Sequence, residues 1–308
     1  MHITILTPCR DEKGNVGPLH ERVRSVMGAL PGCTYGHLFI DNASTDGTVA
    51  ELRAIASGDP GVRVILNNRN FGHVRSPYHG LMQATGDAVI VIAADLQDPP
   101  ELIPEFIRQW QAGSEVVLGQ KKTSKEPAVF FAARKAYYRL VKRLADVDLI
   151  EDVTGFGLYS RKVIEDLRAL DEPYPYVRGL VSELGYKIAR VPYEQPLRQR
   201  GFTKNNLYSL YDVAMLGITS HSKVPLRLAA MLGFAASSIS FALGVVYLVY
   251  KLVFWERFAL GVAPVVIGLF FLASVQLFFI GIMGEYIGAI HTRVTRRPLV
   301  VERERINF

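Results

Sequence analysis

Short apolar runs alternate with helix-length stretches through the first third of the chain. ITILT (3–7) is followed by Pro8, a polar loop and a helical pattern from about Val16 to Ala29; YGHLFID (35–41) precedes a helix from about Thr48. VRVIL (62–66) leads into a helix from about Arg75, and AVIVIA (88–93) into one from about Pro100. Brief runs rich in β-branched residues read as strands, and stretches of period 3.6 as helices. Four such units in succession predict an α/β fold with a parallel sheet covered on both faces. Ligands of these sheets bind beyond the carboxyl ends of the strands. Chemistry is therefore expected in PCRDEKGN (8–15), DNASTDGT (41–48), NNRNFG (67–72) and ADLQDPPE (94–101). Asp, Asn and Gly dominate ordinary turns too, but four such loops on one edge exceed what turns alone require.

The pattern changes in the second half. Residues 129–147 interleave Phe130, Phe131, Tyr137, Tyr138, Leu140 and Leu144 with Arg134, Lys135, Arg139, Lys142 and Arg143, which suits a basic amphipathic helix at a membrane surface or a domain-packing helix with a solvated basic face. NNLYSLYDVAMLGITSHS (205–222) is a second interfacial candidate. Leu228–Tyr250 and Phe258–Gly284 carry no charge over about 23 and about 27 residues, long enough for two transmembrane helices. The connection KLVFWER places Phe254 and Trp255 where interfacial aromatics belong. Lys223 and Arg227 precede the first span, and Arg293, Arg296, Arg297, Arg303 and Arg305 follow the second, against only Lys251 and Arg257 in the connection. The positive-inside rule then puts the first domain and both termini in the cytoplasm of a multi-pass inner-membrane protein. The organisation expected is a catalytic domain over 1–204, a juxtamembrane segment over 205–227, a two-helix transmembrane hairpin over 228–290 and a basic cytoplasmic tail over 291–308.

Composition supports this division. The chain of 308 residues is 49% hydrophobic and 21% charged, a mixture that suits a soluble domain joined to membrane segments. A net charge of +6 favours anionic partners without choosing among them. The basic residues cluster beside the apolar spans, where lipid explains them better than nucleic acid does. Cys9 and Cys33 form no metal or disulfide pattern and read as reduced thiols, and the N-terminus runs into a strand without a secretory pattern. The seven histidines show no His-Glu-x-x-His spacing.

Of the four loops, ADLQDPPE has the chemistry for a divalent cation. Mg²⁺ or Mn²⁺ takes hard oxygen ligands, commonly one or two carboxylates plus a substrate's phosphates. Asp95, Gln97 and Asp98 are suitably placed, although Asp98 could instead cap the helix at Pro100.

Taken together these motifs resemble the family-two inverting glycosyltransferases of GT-A fold, in the polyisoprenyl-phosphate branch of bactoprenol glucosyltransferases and dolichol-phosphate mannose synthases. Pro8, Asp11 and Glu12 match the opening Pro-x-x-Asn-Glu, and Asp41, Asn42, Ala43, Ser44 and Asp46 the Asp-Asp-Gly-Ser-x-Asp. Asn70–Gly72 matches Asn-Phe-Gly, Ala93–Glu101 the Asp-x-Asp-Leu-Gln-x-Pro-Pro-Glu, RQRGFTKNN (198–206) the Arg-x-x-Gly-x-Ser/Thr-Lys segment, and GEYIG (284–288) the end of the second span. Three departures stand out. Ala93 occupies the place of the first metal-site Asp, Asn42 and Ala43 replace Asp-Gly, and TGFGLYS (154–160) differs from the branch's Gly-Asp-Phe-Arg.

The resemblance implies a GT-A, Rossmann-like catalytic domain with interfacial helices. It implies a nucleoside pocket lined by Pro8, Arg10, Glu12, Asp41 and Asn70, a metal held by Asp95 with Gln97, and catalytic roles for Asp95, Arg198 and Lys204. Arg198, Lys204 and Arg134 would grip the acceptor phosphate or the donor diphosphate, with Arg178 a weaker candidate. The expected reaction is inverting transfer of a hexose, best matched by glucose, from a UDP-sugar to undecaprenyl or another polyisoprenyl phosphate. A phosphate monoester, with its second pKa near about 6, is already a dianionic nucleophile and hardly needs a general base. A polysaccharide synthase and a catalytically silent nucleotide-binding scaffold are the alternatives. A homo-oligomer is compatible with the sequence, though no residue demonstrates it.

Overall fold

The computed structural model describes residues 1–121, 153–173, 175–196, 224–254, 262–295 and 297–308. The candidate interfacial segments at 129–147 and 205–222 lie outside them. Strands β1 (His2–Cys9), β2 (Thr34–Asp41), β3 (Val62–Asn67) and β4 (Ala88–Val91) are parallel, as the alternation predicts. Helices α1 (Val16–Gly28), α2 (Thr48–Gly58) and α3 (Gly72–Gln83) connect them, and a 3₁₀ turn at Pro100–Leu102 leads into α4 (Ile103–Gln111). Helix α3 starts three residues earlier than its apolar pattern suggests.

Four further strands complete a mixed sheet: β5 (Val116–Lys121), β6 (Val153–Ser160), β7 (Ile188–Tyr193) and β8 (Glu302–Ile306). Their order is β7-β5-β6-β4-β1-β2-β3-β8, with β6 and β8 antiparallel to their neighbours. A purely parallel sheet is thereby corrected to a mixed one. On one face Ile3 and Ile5 pack with Leu19, Val23 and Met27 of α1 and with Phe106 of α4, while Leu52 of α2 covers Val62, Val64 and Phe39. On the other, Leu6, Ile40 and Ile65 meet Tyr78 and Leu81 of α3 and residues of α5 (Arg161–Leu170) and α6 (Val177–Glu183).

The departure at TGFGLYS has a packing cause. A Cβ on Gly157 would meet the Val117 carbonyl and lie 2.8 Å from Leu118 Cδ2. Strands β5 and β6 therefore leave no room for a side chain at 157.

A buried polar chain crosses the first face. His37 Nε2 lies 3.0 Å from Thr7 Oγ1, His37 Nδ1 3.2 Å from His20 Nδ1, and His20 Nε2 3.6 Å from Asp59. Burial lowers the pKa of both histidines, with His20 adding to the shift at His37 and Asp59 opposing it at His20. The unfolded chain accepts these protons more readily than the fold does. Stability is therefore full above the ordinary histidine range near about 6.5 and falls below it, by up to about 1.4 kcal/mol per pH unit for each histidine kept neutral. Denaturant melts of the full chain in detergent at pH 7.5 and 5.5 should show this loss, reduced in His37→Gln.

Helices α7 (Val224–Val253) and α8 (Val262–Val294) have 30 and 33 residues, or about 45 and about 50 Å. The segments Val224–Leu243 and Phe271–Thr292 within them are long and apolar enough to cross a membrane, and protein buries only 6% of the first and none of the second. Helix α7 begins at Val224, so the last residues assigned to the juxtamembrane segment belong to it.

The tail expectation needs a larger correction. Beyond α8, Leu299 packs against the α3 face of the core, Val300 is buried, and β8 pairs antiparallel with β3. Glu304 binds Arg53 of α2, Glu302 binds His79 of α3 at 2.6 Å, and Asn307 Nδ2 donates to the Ala56 and Val62 carbonyls at 2.7 and 2.9 Å. The terminal segment is thus an edge strand, its two glutamates paired with the helices on either side.

Candidate functional site

The loops after β1 and β2 are sewn together. Four successive backbone N–H groups of the first donate to side chains of the second unit: Asp11 to Ser44 Oγ (2.8 Å), Glu12 to Thr48 Oγ1 (2.9 Å), Lys13 to Asp46 (3.0 Å) and Gly14 to Glu51 (2.8 Å). Asp11, at φ 53°, returns the bond by accepting from Thr45 N at 2.7 Å. The spacing of Ser44, Asp46, Thr48 and Glu51 thereby has a direct structural use. It also has a chemical consequence, because amides already engaged cannot cradle a phosphate as glycine-rich loops do.

Asp41 ends β2 fully buried, with its carboxylate accepting from Ser44 N at 3.0 Å and from Ser44 Oγ. Burial raises its pKa, opposed by the Ser44 bonds and by Arg303. Burial, with the Asp41, Glu12 and Asp46 carboxylates, likewise pushes the Cys9 thiol well up. This corner of the site is rich in negative charge.

Asn42 accounts for another departure. Its Nδ2 donates to Asn70 Oδ1 (2.8 Å) and the Gly72 carbonyl (3.0 Å), while its Oδ1 accepts from Asn67 Nδ2 (3.2 Å) and Phe71 N (2.8 Å). An amide can both give and accept; a carboxylate could not make the first pair. Asn42 is therefore the hub that fastens the loop after β3 to the loop after β2.

The loop after β4 begins near the topological switch point between β1 and β4. Asp95 is half-buried and accepts from Gln97 N at 3.2 Å, while Gln97 Nε2 donates to the Pro196 carbonyl at 3.2 Å. Asp98 does not cap the following helix; it accepts from Tyr193 Oη at 2.9 Å and from Ala93 N at 3.3 Å. Burial pushes its carboxyl up to about 6 against those two bonds. It holds the loop onto β7.

Among the expected site residues, Pro8, Arg10, Glu12, Asp41, Asn70, Asp95 and Gln97 all fall on the carboxyl edge of the sheet. Arg10 and Asn70 are exposed, Pro8 and Glu12 half-buried, and Asp41 lies behind Ser44. Arg178 lies on α6. Arg134, Arg198 and Lys204 lie outside the described residues. Sequence reasoning missed the hub at Asn42, the Tyr193–Asp98 bond and Arg303; the alternation in ERERI was the only hint of the last.

Among the described residues no group of three or more His, Cys, Asp or Glu is arranged to hold a metal ion by itself. A single carboxylate, Asp95, fits a cation that arrives with most of its ligands already supplied by phosphate oxygens and water.

Two family models match the chain in sequence. Residues 4–168 match the glycosyl transferase family 2 model, and residues 224–290 match the GtrB C-terminal hairpin. The chain is 34% identical to the bactoprenol glucosyl transferase of Shigella phage SfV, over 97% of each chain. It is 35% identical to the uncharacterized glycosyltransferase YkcC of Bacillus subtilis, over 97% of this chain and 92% of that one. Among solved structures, glucosyl-3-phosphoglycerate synthase from Mycobacterium tuberculosis, in complex with Mn²⁺, UDP-glucose and phosphoglyceric acid, gives a TM-score of 0.47 at 20% identity, over 70% of this chain and 77% of that one.

Proposed function

The chain belongs to glycosyl transferase family 2, and from that membership we propose that it moves glucose from UDP-glucose to a polyisoprenyl phosphate such as undecaprenyl phosphate at the cytoplasmic face of a membrane. The observation that carries this reading is the return of the chain from α8. Five peptide steps separate Val294, the end of α8, from Leu299, which is packed on the catalytic domain, so the two are at most about 18 Å apart. The strand that follows enters the sheet at the carboxyl end of β3, where Glu302 pairs with Asn67. The candidate site is therefore held close to the end of an apolar helix, where a lipid-borne acceptor presents its phosphate. The relatives' names point to glucose and bactoprenol.

In this reading 1–204 is the catalytic domain, 228–290 a membrane-spanning hairpin, and both ends of the chain are cytoplasmic. The loops after β1, β2 and β3 take the nucleoside, with Pro8, Arg10, Glu12 and Asn70 at its surface and Asp41 shaping the pocket from behind. Asp95, with Gln97 beside it, holds a divalent ion, Mg²⁺ or Mn²⁺, which would neutralise charge developing on the leaving diphosphate. Arg198, Lys204 and Arg134 grip phosphates. The acceptor phosphate oxygen attacks the anomeric carbon as the bond to the nucleoside diphosphate breaks on the opposite side. The electron pair leaves with UDP, configuration inverts, and no proton has to move. Catalysis by the protein is then mainly positioning.

The test is incubation of the purified full chain with undecaprenyl phosphate, Mg²⁺ or Mn²⁺ and a panel of labelled nucleotide sugars, with label counted in the organic extract. Transfer from UDP-glucose, abolished by a chelator, is the expected result. Nucleotide binding without transfer from any donor would instead indicate a silent scaffold.

A further inference from the structure

The strand that returns from α8 brings a cation to the donor side of the site that none of the sequence motifs contains. In the β2–β3 register Asp41 lies opposite Leu66, and in the β3–β8 register Leu66 lies opposite Glu304 and Asn67 opposite Glu302. Arg303 is the residue left over, an extra position where the ladder shifts. Such bulges re-aim a side chain and occur often beside active sites.

Arg303 is exposed and, among the described residues, has no hydrogen bond and no ion pair, whereas Arg53 and Arg305 are bound to Glu304 and Glu302. It is near enough to Asp41 to oppose the rise in that carboxyl's pKa. Two observations decide what it can meet there. The backbone amides of the loop after β1 are already engaged, and Asp11, Glu12, Asp41 and Asp46 make the corner unfavourable for a diphosphate. The uncharged half of a nucleotide fits better. With Asp41 turned to Ser44, Arg303 adds exposed N–H donors to those of Arg10 and Asn70 on this side of the site.

We infer that Arg303 is a donor-binding residue whose guanidinium contacts the nucleobase, by hydrogen bonds to its carbonyl oxygen or by stacking on its face. This rests on the reading of the donor as a nucleotide sugar. The terminal strand is then part of the donor site as well as an anchor for the domain.

The test measures UDP and UMP binding to the full chain in detergent micelles by calorimetry, for wild type, Arg303→Ala, Arg303→Gln and, as a control that removes the α2 partner of the same strand, Arg53→Ala. Arg303→Ala should weaken both nucleotides alike by about tenfold, the size of one hydrogen bond from a charged donor. Arg53→Ala should lower the melting temperature yet leave both affinities unchanged. Unaltered affinity in folded Arg303→Ala or Arg303→Gln, or a loss for UDP alone, overturns the inference and leaves the donor reading intact. Failure of the wild type to bind either nucleotide removes both.

Discussion

Asp95→Asn is expected to lower glucosyl transfer by about 10²- to 10³-fold, the scale on which enzymes lose rate when one electrostatic contact to developing charge is removed. Asparagine keeps the shape of the side chain and can still accept the 3.2 Å bond from Gln97 N, so the loop should hold its form. What disappears is one negative charge. With Ala93 at the other position of the motif, that charge would be the loop's main contribution to the proposed metal site. Initial rates across a Mg²⁺ or Mn²⁺ titration, together with melting curves, would separate the two effects. Loss of rate with an unchanged melt supports the role; activity within threefold of wild type would take Asp95 out of the metal site.

The second large effect is expected from a substitution that makes the sequence look more like its family. Asn42→Asp restores the Asp-Asp pair, yet it should destabilise the domain by about 3 kcal/mol or more. Two donated bonds vanish, and a carboxylate is set against Asn70 Oδ1 and the Gly72 carbonyl in a site only 7% exposed. For a domain of this size that corresponds to a drop in melting temperature of about 10 °C. The pH dependence has a definite sign. The introduced carboxyl would be easier to protonate in the fold than in the unfolded chain, so the deficit should shrink as pH falls and grow as it rises. A melt at neutral pH equal to wild type would show that the hub is dispensable.

Much of the catalytic half could be read from the sequence because its signals are local. Apolar runs and the loops between them placed β1 to β4 and brought Pro8, Glu12, Asn70 and Asp95 to one edge. The strands beyond β4 were harder. β6 is interrupted by Gly155 and Gly157, and β8 reads ERERI, with charge where a core strand would carry apolar residues. Each is specified by its partners: β6 by Val117 and Leu118, β8 by Arg53 and His79. Burial was equally invisible in the motif. Asp41 looked like a ligand contact because its family position suggested one, but Ser44, three residues away, encloses it. Asn42 read only as a departure from the Asp-Asp-Gly-Ser pattern, and in the fold its amide makes four hydrogen bonds.

The strand β8 also changes how the catalytic domain can move. Leu299 and β8 tie the end of α8 back into the sheet of the domain. A strand paired along its length in that sheet resists turning of the domain about the helix end. On the proposed reading, an acceptor diffusing in the plane of the bilayer meets the site at a nearly fixed height, so turnover should follow the acceptor's mole fraction in the membrane more closely than its amount per volume of solution.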